Sequence, residues 1–190
     1  EILKEPGGKQ DQYMAAFGGI QLMEFFPDET VSLKQTLLNL EDRKALKDNL
    51  IMLYTGRERN STKIHEEQMI KVEEKVENYN RMRDLAYRTY EKLSCNKWYE
   101  LGELLDENWK LKRELSKNIS DNEIDSWYEM AKKAGAIGGK LMGAGGGGFF
   151  LFFIDPEKRE NLKRKLNQLK EEPFNFEPFG SRILYMEGSI

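Results

Sequence analysis

The chain has 190 residues, 33% charged and 39% hydrophobic, with a net charge of −3 and a pI near 5.5. That composition suits a globular protein with a real core rather than a disordered segment, and its acidic balance argues against a nucleic-acid partner. A single cysteine, Cys95, excludes an intrachain disulfide framework and a Cys-rich zinc site, and fits a reducing, cytoplasmic setting. The single histidine, His65, is read as a helix-surface residue, because no G-x-S-x-G elbow supports a Ser-His-Asp triad around it. No apolar run approaches the ~20 residues of a membrane-spanning helix, and no signal-peptide pattern is present.

The elements follow in chain order. Turn signals at Pro6-Gly7-Gly8 and Gly18-Gly19 bracket about two helical turns, Lys9 to Phe17. "IQLMEFF" (20–26) alternates as a strand should, and "VSLKQTLL" is its expected hairpin partner. "LEDRKALKDN" predicts a short charged helix, and "LIMLYTG" (50–56) a buried strand closed by glycine. From Ser61 to Ser94 the pattern is helical and charge-dense, with Ile64, Val72, Val76 and Tyr79 on one face. Trp98, Leu101, Leu104, Leu105 and Leu115 form the next stripe.

Ser120 and Glu123 predict a capping box for a helix whose apolar face is Ile124, Trp127, Tyr128, Ala131 and Ala134, ended by Gly135. "IGGKLMGAGGGGFFLFFI" then reads as strand, glycine loop, strand. Asp155-Pro156 starts a further helix carrying Leu162, Leu166 and Leu169. "NFEPF" and "RILYME" look like closing strands. This order of elements predicts an α+β fold with helices on one face of a largely antiparallel sheet.

Residues 140–150, "KLMGAGGGGFF", hold five of the 16 glycines. Gly143 to Gly148 fit G-x-G-x-x-G literally. A strand follows instead of a helix, however, so the dinucleotide-fold reading fails on context, and no Lys-Ser or Lys-Thr completes a P-loop. Backbone N–H groups free of side chains still make an anion nest, so Gly143, Ala144, Gly145, Gly146, Gly147 and Gly148 are candidate phosphate binders. Asp11, in "GGKQDQY", stands at a helix start beside Lys9, Gln10 and Gln12. A carboxylate there can accept or orient a hydroxyl proton in phosphoryl transfer.

Together, "GGKQDQYMAAFGG" and "GGKLMGAGGGGFF" resemble the GHMP small-molecule kinases. Within these, "LYTGRERNST" and "FGSRI" look like the D-glycero-D-manno-heptose 7-phosphate kinase branch. The glycine-rich stretch matches the family's third motif. The P-x-x-x-G-L-G-S-S-A-type ATP loop and the first motif are absent from the sequence.

The resemblance implies a ferredoxin-like C-terminal domain over 41–190, preceded by a remnant of the N-terminal kinase domain over 1–40. It implies an ATP- and Mg²⁺-dependent sugar kinase whose N-terminal half lies outside this chain, so the 190 residues alone are expected to be inactive. It also implies that Asp11 is the base and that Gly143 to Gly148 meet phosphates. Gly8, Gln10, Arg57 and Lys140 are candidates for the sugar phosphate, with Arg59 a weaker one. Two other readings stay open: a non-catalytic sugar-phosphate or nucleotide binding module, and a kinase for galactose or fucose.

Overall fold

The computed structural model describes residues 8–58 and 61–183. Arg59, the side chain of His65 and the end of "RILYME" lie outside the described residues. Helix α1 (Gln10–Phe17) leads through Gly18 and Gly19 into a hairpin of β1 (Gln21–Phe25) and β2 (Val31–Gln35), a sheet of its own. The remaining elements are α2 (Leu40–Asp48), β3 (Leu50–Tyr54), α3 (Ser61–Ile70), α4 (Val76–Ser94), α5 (Leu101–Arg113), α6 (Asn122–Ala134), β4 (Ala136–Leu141), β5 (Phe149–Ile154), α7 (Arg159–Lys165) and β6 (Lys170–Glu171). Strands β3 to β6 form one sheet in the order β4-β5-β3-β6, with every neighbour antiparallel. That β-α-β-β-α-β order with the first and third strands central is the ferredoxin-like arrangement.

The strand pattern explains the packing. "FFLFFI" alternates between faces, so Phe150, Phe152 and Ile154 enter the main core with Ile51, Leu53 and the α6 stripe. Phe153 turns to the other face, onto Leu46, Leu50 and Leu93. All five apolar α6 residues are buried, and Gly135 ends the helix at φ 110°. Helix α5 lies hard against β4: a Cβ on Gly138 would fall 2.0 Å from the Gly102 carbonyl oxygen.

Four expectations need correction. The N-cap of α6 is Asp121, whose carboxylate accepts from the Glu123 and Ile124 N–H groups; the Ser120 hydroxyl instead donates to Asp125. The helix expected from Ser61 to Ser94 is interrupted by a 3₁₀ turn at Glu73–Lys75. That turn shifts the helical phase and leaves Val72 and Val76 exposed. Helix α7 stops at Lys165, although Leu166 and Leu169 are buried as expected.

The fourth concerns "NFEPF", which forms no strand. It runs as a strap back to α1, where the Gly19 N–H donates to Glu177 and the Ser181 N–H donates to Ala16. Gly18 and Gly180, both at positive φ, pass backbone to backbone in that contact. Since α1 buries no residue of its own, this strap is part of what holds it.

Candidate functional site

The glycine loop joins β4 to β5 and is closed at its base by Met142 N–H donating to the Phe149 carbonyl at 2.8 Å. Gly143, Gly145, Gly146 and Gly148 have φ of 67°, 113°, 72° and 91°, a region that residues with a Cβ rarely adopt. Gly147 is required for a different reason: a Cβ there would lie 2.7 Å from the Arg57 carbonyl oxygen. A Cβ on Gly145 would meet the Ile119 backbone at 2.8 Å.

The loop is held from both sides. Gly146 N–H donates to the Ile119 carbonyl at 2.9 Å and Gly148 N–H to the Arg57 carbonyl at 3.2 Å. Thr55 donates to the Gly148 carbonyl through both its N–H and its hydroxyl, each at 2.9 Å. The N–H groups of Gly146 and Gly148 are therefore engaged within the protein. At the loop's start, the buried Lys112 ammonium donates to the Leu141 carbonyl at 2.9 Å and to the Gly143 carbonyl.

Arg57 touches the loop through its backbone, while its guanidinium faces the start of α6. It grips Asp121 with two nitrogens, at 2.5 and 3.1 Å, and reaches Glu123 at 3.2 Å. This charge-assisted fork holds the Asp121 carboxyl below its usual range, helped by the α6 N–H groups it caps.

Lys140 and Gln10 meet elsewhere. Both line a cleft of about 330 Å³ between β1, α4 and α5, floored by Leu85, Leu101 and Leu104. The Lys140 ammonium donates to Asn108 Oδ1 at 2.7 Å, and burial pushes its pKa down. Gly8 and Gln10 border a second cleft, about 550 Å³, with Phe25 and Phe26. Asp11 is exposed in the first turn of α1, next to Gln10.

The expected residues thus form two groups: the loop with Arg57, and Gln10 with Lys140, with Gly8 and Asp11 on the α1 side. Lys112, Ile119, Thr55, Asn108 and Asp121 were missed by reading the sequence. Lys112 carried a signal, as a charge on the apolar stripe of α5 that holds Leu104, Leu105 and Trp109.

Residues 82–171, which include the whole loop, match the family described as GHMP kinases C terminal. The chain carries a GHMP kinase C-terminal domain. It is 32% identical over 164 residues to D-glycero-alpha-D-manno-heptose 7-phosphate kinase of Campylobacter jejuni, covering 85% of this chain and 48% of that protein. It is 27% identical over 178 residues to the bifunctional fucokinase/GDP-fucose pyrophosphorylase of Arabidopsis thaliana, covering 90% of this chain and 17% of that one. Among solved structures, a D-glycero-D-manno-heptose 1-phosphate kinase from Bacteriodes thetaiotaomicron aligns with a TM-score of 0.71 at 25% identity, covering 97% of this chain and 52% of that one.

GHMP kinases are ATP-using phosphotransferases, and this chain spans about half the length of its heptose-kinase relatives. Among the described residues no group of three or more His, Cys, Asp or Glu could hold a metal ion. No helix among them is long and apolar enough to cross a membrane.

Proposed function

We propose that the protein containing this chain transfers the γ-phosphoryl group of ATP to a hydroxyl of a sugar phosphate, with D-glycero-D-manno-heptose 7-phosphate the first acceptor to test. The carrying observation is the glycine loop at 143–148, held between Arg57 and Ile119 inside the segment that matches the kinase family. The 32% identical Campylobacter relative, named for that acceptor, supports the substrate class.

In this reading the acceptor oxygen attacks the γ-phosphorus, ADP leaves, and Asp11 takes or orients the hydroxyl proton. Loop N–H groups stabilise charge on the phosphate oxygens. Gly8, Gln10 and Lys140 contact the acceptor, whose anionic group suits an ammonium that no carboxylate pairs among the described residues. Arg57 serves through its carbonyl on Gly148, its guanidinium being occupied by Asp121 and Glu123. Mg²⁺ carried by ATP would supply charge neutralisation of the phosphates.

The separate β1–β2 sheet supports a boundary near residue 40, with 1–40 belonging to the N-terminal kinase domain and 41–190 to the C-terminal one. The test is ADP release by the full-length protein with Mg–ATP and a panel of acceptors. Turnover with heptose 7-phosphate above that with galactose, fucose or mevalonate is expected. Turnover with none of them would defeat the reading.

A further inference from the structure

We propose that Lys112 is a positioning residue for the glycine loop: its ammonium fixes the Gly143–Ala144 peptide and so aims the Ala144 N–H as a phosphate donor. This rests on the phosphate-loop reading above.

Three observations carry it. First, Lys112 is only 7% exposed, an unusual place for a lysine, and its ammonium goes to two backbone carbonyls rather than out to water. Second, those carbonyls belong to Leu141, the last residue of β4, and Gly143, the first glycine of the loop. Among the described residues no peptide bond is cis. In a trans peptide the C=O and the following N–H point in opposite directions. Drawing the Gly143 carbonyl onto Lys112 therefore turns the Ala144 N–H away from α5.

Third, Lys112 stands on a helix that cannot slide along β4. Gly102 meets Gly138 backbone to backbone near one end of α5, Asn108 bonds Lys140 in the middle, and Lys112 reaches Leu141 and Gly143 at the other end. The far side of the loop is set independently by Ile119 and Arg57. Glycines at positive φ have little conformational preference of their own, so a bond at each side is what selects one shape. A positively charged donor is also the stronger kind of anchor for a carbonyl.

The test uses the full-length protein with nitrogen-labelled glycine and alanine, wild type and Lys112→Met, Lys112→Gln and Lys112→Arg. Amide shifts of residues 143–148 are followed on adding Mg–ATP, alongside kcat and KM for ATP and for the acceptor. In the folded Met or Gln variant the Ala144 amide moves before any ligand is added. KM for ATP rises about tenfold while KM for the acceptor stays within about twofold, a split that a loss of folded protein alone does not produce.

Lys112→Arg keeps the buried charge, but its longer side chain and planar fork spread the donors over separate nitrogens and re-aim them, instead of fixing both carbonyls from one compact ammonium. KM for ATP there rises about threefold, and this variant decides the matter if the other two do not fold. Wild-type KM for ATP and wild-type loop shifts in any folded variant overturn the proposal. Wild-type loop amides that ignore Mg–ATP overturn the phosphate-loop reading, and this proposal with it.

Discussion

Arg57 and Asp121 form a two-nitrogen fork, at 2.5 and 3.1 Å, that ties the residue closing the glycine loop to the N-cap of α6. The Asp121 carboxylate caps the helix while it binds the guanidinium, so one side chain does two jobs. Asp121→Ala removes both and is expected to cost about 1–2 kcal/mol, while Asp121→Asn keeps an acceptor for the cap and costs less than about 1 kcal/mol, as partly exposed pairs do.

The pH dependence follows from the sign of the shift. Arg57, and after it the α6 N–H groups, lower the Asp121 pKa in the folded state. The stabilisation is therefore present above the unfolded value, about 3.9, and is lost as pH falls through the lower folded value. Urea titrations of wild type and Asp121→Asn should differ by a constant amount near neutral pH and converge in acid. A difference that grows in acid would contradict the assignment.

Lys140 has the opposite sign. Burial lowers its pKa, and its partner, Asn108 Oδ1, is uncharged. The charged form is thus disfavoured in the folded state, and the cost is fully present below the folded pKa. It is relieved as pH rises from the folded value toward the unfolded one, about 10.4. Lys140→Met should therefore raise the urea midpoint at pH 7, by a margin that shrinks at alkaline pH. In the full-length protein the same variant should raise KM for the acceptor about tenfold or more, the loss expected for a charge-assisted contact. A less stable Lys140→Met at neutral pH would mean that the ammonium holds the fold together.

Much of the fold was legible because its signals are local. The α6 stripe, Gly135 at its end, the "FFLFFI" alternation and Asp155 as an N-cap all specify their structures within a few residues. The misreadings have particular causes. Ser120 and Asp121 are both good caps, and the choice falls to Asp121, which also faces Arg57 from 64 residues away. Phe174 and Phe176 alternate as a strand would, stand edge to face with each other and pack against the second core cluster, but their backbone joins no ladder. The real edge strand, β6, has two residues and is too short to show any period.

The glycine loop stood out by composition alone. What shapes it did not, because Ile119, Arg57 and Leu141 act through backbone carbonyls, which have no side-chain signature. Lys112 shows how such a residue could be found: a cation on a buried stripe needs acceptors, and those acceptors are often backbone.

In the proposed reaction Asp11 and the glycine loop serve one phosphoryl transfer. The measurement that tests it most directly is kcat and KM of Asp11→Asn in the full-length protein, with Mg–ATP and the acceptor that turns over fastest. Asp11 is exposed and buries nothing, so the variant should fold as the parent does. kcat is expected to fall about 10²–10⁴-fold while KM for ATP changes little. Turnover close to that of the parent would contradict it and leave the loop without its proposed base.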